Sequence, residues 1–334
     1  MSKVKVAVLA GGISSEREIS ILGGQCVANA LRDDGYEVVV SDISPDDLKI
    51  LDDKSIDVFF ICLHGKFGED GKLQRILEDR GLCYTHSDSF ASASAMDKIT
   101  AKECFTKAGV QCPASVRFND SLKAEQLCKQ VPSATGKYVA KPVSDGSSFG
   151  VEIVTGAQEA IERCRANKNI SADYMIEEFI PGRELTVGVF DGHALPVMEI
   201  RPKVGFYDYH AKYVADNTQY LFDTLDDEKL IRQISDDAVK CFECLSCRGV
   251  ARVDFILAEN GTTYALEINT VPGMTEHSCI PKAAAKIGIS MPELCGEIVE
   301  RALADFKKNR NTPLRKIAES GKAKKENQAE QTTV

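Results

Sequence analysis

The segment ARVDFILAENGTTYALEIN, residues 251–269, constrains the chain more than any other. Two alternating runs flank Asn260-Gly261, a pair that favours a two-residue β-hairpin turn. Such a turn pairs residues whose numbers sum to 521, so Asp254 faces Glu267 and Arg252 faces Asn269. Side chains alternate with period two along a strand, which puts all four on one face. Two carboxylates directly opposite repel unless a cation lies between them. Asp, Glu and Asn offer hard oxygen donors, with no His or Cys among them, a set suited to Mg²⁺ shared with phosphate oxygens. The same pattern also fits a solvated polar face with Arg252 as local partner.

The first hundred residues read differently. VKVAVLA leads into Gly11-Gly12 and a helical stretch from about Glu16 to Arg32; YEVVVSDI and IDVFFICLHG follow as further apolar runs, and a helix starts near Lys72. Strands alternating with helices predict βαβ units and a parallel sheet. Ligands of such sheets gather where strands end in loops, which is where Gly11, Glu16 and His64 fall. GGISSE is not GxGxxG, so the dinucleotide fingerprint is absent.

Past Met96 the order changes. A helix with Lys98 and Lys102 precedes the strand YVAKPV, the loop SDGSSFG, the strand VEIV, a helix near 157–167 and the strand DYMIEEF. This is a small α+β unit with an antiparallel core. Its serine- and glycine-rich loop can offer N–H and hydroxyl groups to a phosphate, with Lys141 supplying positive charge; an ordinary hairpin loop has the same composition. IEEFIPGRE then runs through a Pro-Gly link that serves either as a hinge or as a nucleotide contact. The strand ELTVGVF, an Asp191-Gly192 hairpin signal and the strand HALPVMEI follow. The polar stretch 203–223 is long for a structureless loop, and such loops usually act as lids or binding loops.

At 334 residues the chain is long enough for two or three domains with their own cores. Net charge is 41 − 50 = −9; from Lys307 onward eight basic residues against three acidic ones give +5, leaving −14 for the preceding 306 residues. An acidic body is a poor nucleic-acid binder. The basic tail is either a solvated, disordered extension past about Thr312 or a contact for an anionic surface. No apolar run reaches the length of a bilayer span and the start lacks a signal peptide, so the expected location is the cytoplasm. The twelve cysteines then serve as reduced, small apolar residues. Cys241, Cys244 and Cys247 have part of an iron–sulfur spacing, but Ile231, Ile234, Ala238, Cys241 and Leu245 recur as one buried helix face.

Taken together, GGISSEREIS, LHGKFGEDG, SAMDKIT, KPVSDGSSFGV, IEEFIPGRELTV, FYDYHAKY, ARVDF and LEINTVPGMTEHS resemble, in order, the signatures of ATP-grasp ligases, and within them the D-alanine:D-alanine ligase family. The resemblance spans residues 4–306. It implies an α/β plus α+β fold: a Rossmann-like substrate domain over 1–97, a central ATP-grasp unit over 98–180, a C-terminal ATP-grasp domain over 181–308, and the tail from 309. It implies an ATP-dependent enzyme that joins two D-alanines through a D-alanyl phosphate for peptidoglycan precursor synthesis. Two Mg²⁺ or Mn²⁺ ions and a homodimer belong to the same expectation; a D-alanine:D-lactate ligase is the alternative, with Tyr213 as the discriminating residue.

By position, the resemblance gives Glu16 the ammonium of the first D-alanine, with His64 nearby. Lys98, Lys141 and the loop from Gly146 through Ser147 and Ser148 to Gly150 form the phosphate grip, and Ser147 links Glu16 to the lid. Glu177, Glu178, Phe179 and Ile180 line the adenine, and Glu184 takes the ribose. Lys212 and Tyr213 belong to the lid. Asp254, Glu267 and Asn269 hold the metals, Arg252 and the Gly273 N–H stabilise an oxyanion, and Ser278 with Cys279 meets the second carboxylate. His210 stands where the family has Glu, and Cys279 where it has Leu.

Overall fold

The computed structural model describes residues 3–146, 150–202 and 218–310. Its strands form three sheets. β1 (Lys5–Gly11), β2 (Glu37–Ile43) and β3 (Val58–Ile61) make a parallel sheet in the order β2-β1-β3, with α1 (Arg17–Asp33) as the first crossover. α2 (Lys72–Asp79), α3 (Ser89–Met96) and α4 (Lys98–Lys107) follow. The central strands are apolar on both faces, as parallel strands covered on both sides must be. One face packs Leu9, Phe59 and Leu63 against Leu73, Leu77 and Val271.

The other face of this sheet is covered from the far end of the chain. Val8, Phe60 and Leu31 share a core with residues of α8 (Cys279–Lys286) and α9 (Met291–Arg310), among them Ile280, Ile298 and Val299. Tyr36 donates to Glu300 Oε1 at 3.0 Å across the same joint. Helix α9 runs to Arg310, two residues into the stretch read from sequence as tail; the rest of the tail lies outside the described residues.

The second sheet is antiparallel, in the order β4-β7-β5-β6: β4 (Ser115–Arg117), β5 (Lys137–Pro142), β6 (Glu152–Thr155) and β7 (Tyr174–Glu178). α5 (Ala124–Gln130) and α6 (Ala157–Ala166) cover it, burying Leu127, Ile161, Tyr138 and Ile176 together. The third sheet runs β11-β10-β8-β12-β13, with β9 paired to β8. Its strands are β8 (Gly182–Phe190), β9 (His193–Ala194), β10 (Met198–Pro202), β11 (Thr218–Leu221), β12 (Val250–Ala258) and β13 (Thr263–Asn269). α7 (Glu228–Cys244) and α4 pack on it through Ile234, Ala238, Cys241 and Phe105, so the cysteine spacing is a helix face. Burial pushes the thiols of Cys244 and Cys247 up to about 12.

HALPVMEI is not the single strand expected. It splits into β9 and β10 around Pro196, which has no N–H to give a ladder. Asp191-Gly192 makes the two-residue hairpin expected, with Phe190 paired to His193 and φ of 49° and 80° at the turn. Among the described residues no helix is long and apolar enough to cross a membrane.

Candidate active site

The β12–β13 hairpin departs from the sequence expectation twice, and the departures cancel. Ala258 N–H donates to Thr262 O and Gly261 N–H to Ala258 O, so the loop has three residues, 259–261, with Gly261 at φ +83°. A three-residue loop closed by a left-handed glycine is the next commonest hairpin connection. Near the turn Phe255 therefore pairs with Ala265 and Leu257 with Thr263. That register, continued, would turn Glu267 onto the buried face. The register shifts between Asp254 and Phe255, leaving Leu266 as an extra residue, and beyond it Asp254 pairs with Glu267 and Arg252 with Asn269. The pairing inferred from sequence holds, but a bulge rather than a two-residue turn produces it.

The facing carboxylates each meet cationic side chains. Arg252 donates from Nε to Asp254 Oδ1 at 2.9 Å and from Nη2 to Oδ2 at 2.8 Å. Thr186, opposite Asp254 on β8, donates its hydroxyl to Oδ1 at 2.6 Å, and Asn269 Nδ2 lies 3.4 Å from Oδ2. Lys98 Nζ lies 3.3 Å from Glu267 Oε2 and donates to Asp145 O at 2.7 Å. Among the described residues no group of three His, Cys, Asp or Glu side chains gathers as a metal cage. Two carboxylates and one amide oxygen on adjacent strands nevertheless fit a hard divalent cation whose remaining ligands come from phosphate and water.

These groups open onto a cleft between the second and third sheets, lined by Lys98, Lys141, Asp145, Glu177, Glu178, Phe179, Ile180, Glu184, Asp254 and Glu267. Residues from β5 and β7 form one wall, those from β8, β12 and β13 the other, and Phe179 and Ile180 join them. At its back Glu177, which is buried, bridges two lysines: Lys141 Nζ at 2.8 Å and Lys102 Nζ at 2.6 Å. Burial works against the Glu177 carboxylate, but the two ammonium groups hold it below the usual range. Burial pulls Lys102 down, and Glu177 only partly offsets it. One anion shared by two cations is stabilised twice, whereas each cation has half a partner.

A second group of residues adjoins the cleft. Glu16 sits just before α1 and makes no side-chain cap bond; the first turn is tied to the sheet by Ser20, whose hydroxyl accepts the Gly11 N–H at 2.9 Å and donates to Cys62 O at 2.8 Å. Glu16 is buried, and its Oε2 lies 3.2 Å from where a Cβ on Gly146 would sit and 3.4 Å from one on Gly65. Glu16 thus stands between the loop of His64 and the start of the serine-rich loop. His64 Nδ1 lies 3.0 Å from Val271 O. Burial lowers the His64 pKa, opposed by the Glu16 charge and reinforced by Arg252. A Cβ on Gly273 would come 2.8 Å from Ser278 Oγ, so a larger residue there would force that hydroxyl to turn away. Ser278 Oγ in turn accepts the Thr275 N–H at 3.0 Å. Cys279 opens α8 and packs, half-buried, on the apolar core.

Ser147, Ser148, Lys212, Tyr213 and His210 lie outside the described residues. Sequence reasoning missed Lys102, Thr186 and Glu69. Lys102 carried a signal, since it follows Lys98 by four residues on one helix face. Thr186 becomes a partner only through the pairing of β8 with β12, and Glu69 only through a contact with Val271.

The chain is similar to proteins of known family. A family model described as D-ala D-ala ligase C-terminus matches residues 105–300. A D-alanine–D-alanine ligase from Syntrophotalea carbinolica is 41% identical over 304 residues, covering 91% of this chain and 96% of that protein. One from Aquifex aeolicus is 40% identical, covering 89% and 100%. A solved D-alanine–D-alanine ligase from Bacillus anthracis complexed with ATP superposes with a TM-score of 0.79 at 32% identity, covering 92% and 100%. A D-Ala:D-Ser ligase from Enterococcus faecalis gives 0.78 at 27% identity, covering 90% and 100%. With its ordered motifs, its three sheets and this cleft, the chain belongs to the D-alanine–D-alanine ligase family.

Proposed function

We propose that the cleft binds ATP with Mg²⁺ or Mn²⁺ and joins two D-alanines into D-alanyl-D-alanine, releasing ADP and phosphate. The observation that carries this reading is the meeting of Lys98, Lys141, Glu177, Glu184, Asp254 and Glu267 in one cleft between two sheets. A carboxylate is a poor electrophile until phosphorylated, and phosphoryl transfer is governed by positioning and charge neutralisation. Two metal ions held by Asp254, Glu267 and Asn269 would neutralise charge on the phosphates. Lys98 and Lys141 add fixed cations, with the loop from Gly146 through Ser147 and Ser148 to Gly150 as phosphate grip. Glu177, Glu178, Phe179 and Ile180 receive the adenine, and Glu184 the ribose.

Glu16, with His64 beside it, orients the first D-alanine by its ammonium group, leaving its carboxylate to attack the γ-phosphate. The amine of the second D-alanine then attacks the acyl carbon, phosphate leaves, and Arg252 with the Gly273 N–H stabilises the oxyanion. Ser278, next to Cys279, binds the second carboxylate. Lys212 and Tyr213, in the 203–223 stretch, belong to a lid that excludes water, and Ser147 links it to Glu16. The same reading divides the chain near residues 97, 180 and 308, and makes it a cytoplasmic homodimer supplying peptidoglycan precursors.

The test is product identity. Offered ATP, Mg²⁺, D-alanine and D-lactate together, the enzyme should form mainly the dipeptide, read by mass spectrometry. A product that is mainly the depsipeptide D-alanyl-D-lactate would make it a ligase of the alternative specificity.

A further inference from the structure

Glu69 ties together two loops that are more than two hundred residues apart in sequence. It is buried, its Oε2 accepts the Gly65 N–H at 2.7 Å, and its Oε1 accepts the Val271 N–H at 3.3 Å. The carbonyl of the same Val271 meets His64 Nδ1 at 3.0 Å. Both backbone polar groups of one residue are therefore answered by side chains of the 64–69 loop. The Val271 side chain closes the joint by packing in the core that holds Leu63 and Phe67. Asn269 lies two residues before this clasp and Gly273 two residues after it.

We propose that Glu69 is a positioning residue that fixes the loop bearing Gly273 against the loop bearing His64, and so sets the second half of the reaction in register with the first. The inference rests on the roles given above to His64 and Gly273. Glu69 need touch no substrate for this. A carboxylate suits the task because the two donors approach different oxygens; an amide has one acceptor oxygen and would set its own NH₂ against the other N–H. An N–H left unanswered in a buried site costs about 1–3 kcal/mol, enough to let the loop move. Burial pushes the Glu69 carboxyl up to about 8, with Glu16 adding to the rise and the two N–H donors and Arg252 opposing it, so the form in which both oxygens accept is complete only above that pH.

The experiment measures ADP and dipeptide in the same reaction for the wild type, Glu69→Gln and Glu69→Ala. A displaced oxyanion donor slows amine attack, so the acyl phosphate reacts with water to give D-alanine and phosphate, and ATP is consumed without dipeptide. The expected result is a turnover lower by on the order of 10–100-fold, the range a displacement of about 1 Å can cost, with more ADP than dipeptide. The KM for ATP should stay within about twofold, since the nucleotide contacts are untouched. A folding defect lowers both products equally, so the ratio reports on whatever fraction is folded. A ratio of one in both variants overturns the proposal. A wild type that releases no D-alanine-dependent ADP would count instead against the ligase reading.

Discussion

Asp254 and Glu267 stand directly opposite each other on adjacent strands because the extra residue Leu266 compensates for a three-residue turn. Such a pair is unfavourable by itself. Here Arg252 and Thr186 hold one carboxylate and Lys98 the other. The arrangement positions negative charge that a divalent cation can share, and it makes the hairpin the part of the cleft most sensitive to loss of a charge.

Glu267→Gln keeps the shape of the side chain and removes one negative charge. Turnover in Mg²⁺ should fall by orders of magnitude, because electrostatic groups aimed at a transferring phosphoryl commonly contribute about 10²–10³ each. The melting temperature should change little. Near-normal turnover, measured at saturating D-alanine, would remove Glu267 from the metal site.

Lys102 acts at the other end of the cleft. In Lys102→Met, Glu177 keeps only Lys141 as a counter-charge and holds that lysine more tightly. The KM for ATP should rise on the order of tenfold, equivalent to about 1.4 kcal/mol, while turnover at saturating ATP changes less. Lys102→Arg should recover part of the loss. An unchanged KM for ATP in Lys102→Met would mean that this pair only fills the interior.

His86 gives the fold an acid limit. Its ring is buried against Phe60, its Nε2 meets Ile61 O at 3.0 Å, and burial lowers its pKa to about 4, with His64 and Arg248 adding to the drop. An unfolded His has a pKa near about 6.5, so the unfolded chain binds the proton first. The stabilisation is present above about pH 6.5 and is lost toward pH 4, at up to about 1.4 kcal/mol per unit. His86 sits at φ 70°, which Asn tolerates. His86→Asn should be less stable at pH 7.5 but lose less between pH 6.5 and 5; parallel melting curves for the two proteins would contradict this.

Much of this molecule was legible in local sequence. Apolar runs interleaved with helical stretches marked the parallel strands, and period-two patterns, which record which face is buried, marked the facing pairs of the hairpin. The bulge at Leu266 was not legible, because Asn260-Gly261 suits a two-residue and a three-residue loop, and the choice depends on keeping Ala265 and Ile268 both in the core. β4 is three residues without apolar alternation and exists only through its pairing with β7. The docking of α9 on the first sheet rests on residues far apart in sequence, a core that joins Val8, Leu31 and Phe60 to Ile298 and Val299, with the Tyr36–Glu300 hydrogen bond beside it. Thr186 and Glu69 are polar residues in runs where nothing local separates a buried partner from a solvated one, and the spacing of Lys102 from Lys98 marked a shared helix face without naming Glu177 as the partner.

The most direct test of the central claim is ADP release with ATP and Mg²⁺ in the presence of D-alanine, L-alanine or no amino acid. If Glu16, His64, Arg252 and Gly273 form two D-alanine sites beside the nucleotide cleft, ADP should appear only with D-alanine, one per dipeptide formed, and removal of Mg²⁺ by chelation should abolish it. ADP release that is the same with L-alanine, or that proceeds without any amino acid, would contradict the account.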